Sequence, residues 1–257
     1  MTKRYIPLIG FFLLLALSYT NAITPVDTPK VKTGIINLQF RNIVDGKVLK
    51  LNDPAQSYHN DHGDDFKLSM FKYYISNVSL KGESGLVYNV PNSYYLINAS
   101  DTASLNQQIA SVPQGKYTDL SFTIGVDSLR NFAGAQTGAL DPAQGMFWTG
   151  NSGYIFLKFE GESSKSTAKK NRIIFHIGGA SAPYNAIRPF TQHFQKPLLI
   201  ARGKSSKLEI TANAAALFRG KTIIDFSKLN LTMGGPNSVI IADNYAAGLF
   251  TITNVIN

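Results

Sequence analysis

The chain has 257 residues, a formal charge of +9 and no cysteine. The absence of thiols excludes disulfides, thiolate metal sites and the lipid-bearing cysteine of a bacterial lipoprotein. The charge does not mark a nucleic-acid binder: Lys3 and Arg4 supply two units, and the one dense cluster, Lys165 to Arg172, reads as a solvated Ser/Thr-rich loop tip.

Residues 1–22 read as a secretory signal peptide. Lys3 and Arg4 open it, a mostly apolar run from Ile6 to Leu17 follows, and Ser18 to Ala22 supplies small residues for cleavage after Ala22. The run is short for a membrane span, and no later stretch approaches the roughly 18 apolar residues one needs. The mature chain is therefore expected in the periplasm or outside the cell, with no transmembrane span. Residues 23–33 are rich in Pro, Thr and Lys and read as a flexible spacer.

From Gly34 the pattern changes. Ile35, Asn37 and Gln39 alternate with Ile36, Leu38 and Phe40, as in a half-buried strand. Phe66 to Leu80 predicts a long strand or a bent pair. Further strands are predicted at Tyr94–Ile97, Tyr117–Val126, Tyr154–Phe159, Arg172–Ile177, Pro197–Ile200, Ser206–Thr211 and Val239–Ala242. Gly and Pro clusters punctuate them, including Pro113 to Gly115, Gly178-Gly179 and Gly234 to Pro236. Ala212 to Phe218, stopped by Gly220, is the clear helical stretch, and Asn244 to Phe250 suggests a short turn. Tyr74 to Ser76 are expected at a strand edge, and Asp127 is expected to bond its own backbone in a turn. Together these predict an all-β fold: one antiparallel β-sandwich domain over residues 34–257 with short helical segments. A closed barrel is the alternative.

Familiar catalytic signatures are missing. There is no Gly-x-Ser-x-Gly elbow, no His-Glu-x-x-His and no phosphate-binding glycine loop. Glu160 and Glu162 share a strand face but read as solvated rather than as a glycosidase pair, and no enzymatic activity is expected. Metal binding has more support. His59-Asn-Asp-His62-Gly-Asp-Asp65 gathers two imidazoles and three carboxylates within seven residues. Imidazole suits copper, zinc and nickel; the bland alternative is a solvated polar loop. Met146 would add a soft thioether suited to Cu(I). In an extended segment it shares a face with Trp148, the only tryptophan. Trp148 itself reads either as part of a built site or as a core anchor. His176, at the end of a strand, reads equally as a ligand or as a hydrogen-bond cap. His193 has no obvious companion.

Several ordered blocks carry a resemblance. They are Phe71 to Val78, Phe122 to Ser128, Gly138 to Pro142, Gly145 to Trp148, Asn151 to Gly161, His176 to Gly179 and Ile241 to Tyr245. Over nearly the whole mature chain the sequence resembles the MbnP-like family of bacterial exported copper-binding proteins. The resemblance implies a β-sandwich that holds copper through histidines and, in some relatives, a kynurenine made from tryptophan by a dihaem peroxidase-like partner. Carried over to this chain, the metal set is His176, His62, His59, Met146 and Trp148, with Trp148 as the source of any kynurenine. Two departures stand out. The family's Trp-Thr-Trp-Asn reads Trp148-Thr-Gly-Asn151 here, and Asn254 and Ile256 stand where relatives carry a His-x-His tail. Two functional readings follow: a copper chaperone, scavenger or store, or a metal-free envelope interaction module that keeps the fold without the site.

Overall fold

The structure is a computed structural model and describes residues 31–149 and 153–257. The expected signal peptide, most of the spacer, and Gly150 lie outside the described residues. Among the described residues fourteen strands run in order: β1 (Thr33–Val44), β2 (Lys47–Val48), β3 (Tyr58–His59), β4 (Asp65–Gly82), β5 (Val87–Asn89), β6 (Tyr94–Asn98), β7 (Asn106–Pro113), β8 (Gly115–Ile124), β9 (Ile155–Glu162), β10 (Arg172–Gly178), β11 (Arg188–Ile200), β12 (Ser205–Asn213), β13 (Leu231–Met233) and β14 (Phe250–Ile256). Two α-helices, α1 (Ser128–Asn131) and α2 (Gly235–Ala246), are inserted among them. No helix among the described residues is long and apolar enough to cross a membrane.

The strands form two sheets. The first runs β14-β12-β1-β2, with β7 also on β1; the second runs β11-β8-β4-β9-β10-β13, with β3, β5 and β6 on β4. This is the expected sandwich. Its pairings are antiparallel except β1 with β12 and β10 with β13, which are parallel. Between the sheets, Phe40 and Phe250 of the first meet Tyr73 and Phe122 of the second in edge-on contacts. Farther along, Phe66, Phe159, Phe175, Phe218 and Phe226 pack ring against ring, all fully buried. Each such ring contributes about 1.5–3 kcal/mol by leaving water, which is how a chain without disulfides holds together.

The outer face of the second sheet is also covered, and this positions the site. Phe71, Tyr73 and Ile75 point inward, so by alternation Tyr74 points outward. There its ring meets Tyr154 edge-on. Its hydroxyl donates to the carbonyl of Ala139 (2.7 Å), and that of Tyr154 donates to the carbonyl of Leu140 (2.7 Å). Residues 138–148 thus lie across this face as a strap, and its Leu140 and wholly buried Met146 extend the core on this side.

Several local expectations change. Val239 to Ala242 is helical, not extended, and belongs to α2. A short apolar run cannot distinguish the two by period alone. Here Pro236 in the first turn and the buried set Ser238, Ile241, Ala242 and Tyr245 at helical spacing decide for the helix. The expected helix shrinks to a 3-10 turn, Ala214–Phe218, capped by Asn213, because Ala212 is still paired in β12. Tyr74 to Ser76 are central rather than at an edge: β6 and β8 both pair with this part of β4, and all three side chains are fully buried. Asp127 does bond locally, accepting from the Arg130 amide to cap α1. β7, β14 and the first half of β11 carry too many polar residues to be read as strands in advance. All three are edge or near-edge strands with one wet face.

Candidate metal centre

Trp148 sits where the strap ends. Its amide donates to the carbonyl of Gly153 (3.0 Å), and Phe147 bridges Tyr154, so the segment returns directly into β9. The indole lies over Gly178 at the end of β10. A Cβ on Gly178 would fall 2.6 Å from Cη2 and Cζ3 of Trp148, and one on Gly234 would fall 3.7 Å from Cη2. Glycine at 178 is therefore what lets the ring approach the backbone. The half-buried indole forms one wall of an open cleft of about 450 Å³, lined also by Gly179, Pro183, Tyr184, Met233 and Gly235.

His176 stands two residues before Gly178 on the same strand, hence on the same outward face. Its neighbour in the parallel register is Met233, 56% exposed. Nε2 of His176 lies 2.7 Å from Oε1 of Glu160, and the side chain is 12% exposed. Burial lowers the imidazole's pKa despite the opposing pull of Glu160, so the ring is neutral at pH 7. A neutral, carboxylate-oriented imidazole is what a metal ligand requires. Lys158, paired with His176 across β9 and β10, donates to the carbonyl of Gly145 (2.6 Å) and pins the strap over the same face.

The five metal-set residues fall in separate places. Trp148 and His176 share the outer face near the end of β10, and the side chain of Met146, within the strap, is wholly buried. His59 and His62 are exposed at the β3–β4 turn, beyond the opposite end of β10. The length of β10 puts about 20 Å between the two groups. His193 is exposed on β11, 3.2 Å from Asp119. Met233 and Tyr184 were missed in the sequence. Met233 lies in a three-residue strand too short to show a period, and nothing local signals that it pairs with His176.

At the β3–β4 turn, His62 lies between two carboxylates: Nδ1 is 3.0 Å from Asp64 Oδ1, and Nε2 is 3.7 Å from Asp225 Oδ2. One ligand atom from each residue lies within 4.8 Å of the others.

A family model described as MbnP matches residues 33–238. Among solved structures, MbnP from Methylosinus trichosporium is similar at 14% identity and a TM-score of 0.54, covering 85% of this chain and 95% of that one. No curated protein matches the chain.

Proposed function

Since the chain belongs to the MbnP family, we propose that it is an exported copper-binding protein that holds the metal as a chaperone, scavenger or store and turns over no substrate. The observation that carries this reading is a glycine-lined cleft walled by Trp148 and Met233, with His176 beside it as the register partner of Met233 and two residues before Gly178. Neutral imidazole and thioether are both copper-compatible donors. An unmodified indole is not a ligand; kynurenine would present an aromatic amine and a ketone at the same place. Trp148 is the residue on which a dihaem peroxidase-like partner would act, and its edge on an open cleft gives such a partner access. The tail departures leave this cluster untouched: Asn254 and Ile256 belong to β14 of the first sheet.

A second reading, the metal-free interaction module, draws on the apolar rim beside the cleft. Leu129 and Phe132 are 83% and 57% exposed, Tyr184 is 46% exposed, and Ser128 ties α1 to the carbonyl of Ala180. One experiment separates the two readings. The chain is exported in its native host with copper supplied, then measured for metal content and intact mass. Stoichiometric copper, lost in His176→Ala, is the expected result. A folded protein without copper and with unmodified Trp148 would instead favour the interaction module.

A further inference from the structure

The cluster at the other end of β10 is built differently. Asp64 closes a tight turn: its amide donates to Asn60 Oδ1 (2.8 Å), the Asn60 amide donates to the carbonyl of Asp64 (3.0 Å), and Asn60 Nδ2 donates to the carbonyl of Ile224 (2.9 Å). That last bond brings in residues 224–228, more than 160 positions along the chain. Each carboxylate has one oxygen held from behind. Asp64 Oδ2 accepts from the Phe226 amide (2.8 Å), and Asp225 Oδ1 accepts from the amide and hydroxyl of Ser227 (2.9 and 2.6 Å). The other oxygens, Asp64 Oδ1 and Asp225 Oδ2, face His62. The Asp64 side chain is only 5% exposed and that of Asp225 15%, while the His62 ring is 44% exposed and can rotate. Phe226, between the two turns, is fully buried in the aromatic core and fixes both.

We propose that His62, Asp64 and Asp225 form a mononuclear site for a borderline divalent cation of the zinc class, separate from the Trp148 cleft. Zinc takes imidazole nitrogen and carboxylate oxygen at about 2.0–2.2 Å, which sets ligand atoms roughly 3.3 Å apart in a tetrahedron. One ligand atom from each of the three residues already lies within 4.8 Å of the others, so the set has to close in around the ion. One ring nitrogen takes the metal as the exposed His62 side chain reorients toward both carboxylates, and water completes the shell. The backbone and hydroxyl donors behind the carboxylates are the outer-shell partners that hold such ligands in place. One imidazole with two carboxylates is too hard a set to prefer Cu(I), so the two ends of β10 select different metals.

Lys228 is the built-in competitor. Its ammonium lies 3.1 Å from Asp225 Oδ2, but its side chain is 83% exposed and can swing into solvent. A divalent ion displaces both this ammonium and any proton on His62. The rival account is that His62 merely bridges the two carboxylates as an imidazolium and takes no metal.

The test is zinc binding to the metal-stripped full-length chain by calorimetry, with chelator competition. One zinc per chain is expected. His62→Gln lies on an exposed turn and should weaken binding at least tenfold with little change in melting temperature. Lys228→Gln should tighten binding several-fold, which a purely structural ion pair would not do. Trp148→Phe and His176→Ala should leave zinc affinity unchanged, so failure of the copper reading and failure of this one are distinguishable. No zinc uptake by the wild type, equal affinity in His62→Gln, or tighter binding of calcium than of zinc would each overturn the proposal.

Discussion

Replacing Gly178 by alanine tests the architecture of the Trp148 cleft directly. The φ angle at Gly178 is not in the left-handed region, so the backbone tolerates alanine. The new methyl, however, would sit 2.6 Å from two indole carbons and 2.7 Å from the carbonyl oxygen of Tyr154. The carbonyl is backbone and cannot swing away, whereas the half-buried indole can. Overpacking of this kind costs about 1–3 kcal/mol. With an m-value of about 2–3 kcal/mol/M for a chain of this size, the urea midpoint should fall by about 0.3–1.5 M. Trp148 is the only tryptophan, so intrinsic fluorescence reads the displacement without a label. The emission maximum should move to longer wavelength as the ring leaves its cleft. Gly46→Ala is the control: Gly46 has φ +81° with nothing within 4 Å of a Cβ. It should cost roughly 1 kcal/mol in backbone strain and leave emission unchanged. Unchanged emission in Gly178→Ala, or the same red shift in Gly46→Ala, would refute the packing argument.

Other parts of the frame give further expectations. Phe226→Ala removes a ring that contacts Phe66, Phe175 and Phe218 and should cost about 3–5 kcal/mol by urea denaturation. Asn244, 1% exposed, donates to the carbonyls of Leu217 and Thr222 and accepts from the Thr222 amide. Asn244→Ala should cost about 2–3 kcal/mol by leaving those groups unpaired, with early loss of amide-exchange protection at residues 217–222. Burial alone would raise the pKa of Asp243, but Arg188 and Lys221 outweigh it and hold the carboxyl below 3.8. Its depressed folded-state value means that its stabilisation is present above the unfolded pKa and lost as pH falls through the folded one. Asp243→Asn should therefore cost about 1–2 kcal/mol at pH 7, with the gap to wild type closing below about pH 4 in thermal melts.

The legible parts of this sequence were those where one physical rule acted alone. The first half of β1 alternates cleanly because one face meets the core and the other does not, and its core-facing residues could be read from that alternation. β4 showed only as a long apolar run, since both of its faces are covered and its centre is buried throughout. β7 and β14 present one polar face and little else, so their pairing with β1 and β12 is the tertiary contact that makes them strands. The Trp148 and His176 segments could be chosen as site candidates by residue type. Their common neighbour Met233 could not, because it depends on a parallel β10–β13 pairing and on two glycines far apart in sequence. His62 was chosen within a run of two histidines and three carboxylates, His59 to Asp65. The structure pairs it with Asp64 of that run and also with Asp225, whose approach is set by the Asn60 bond to Ile224 and is invisible to any local window.

The position of each cluster follows from how its strands end. At Gly178 the strand stops in paired glycines facing another pair at Gly234 and Gly235, so no side chain fills the gap and a broad, soft-lined cleft remains open to solvent. At the other end, the chain turns between β3 and β4 under the constraint of a buried asparagine, and two carboxylates are drawn in behind a histidine. The first arrangement leaves room for a large, polarizable or modified ligand and tolerates adjustment. The second is narrow, anionic and held from behind by backbone donors. A rigid sandwich keeps the two about 20 Å apart. Loading one should therefore leave the affinity of the other unchanged, unless β10 itself shifts. Copper titration of zinc-loaded and zinc-free protein measures that independence. A more than threefold difference in copper affinity between the two forms would mean that the strand transmits the change, and the view of two separate ends would have to be given up.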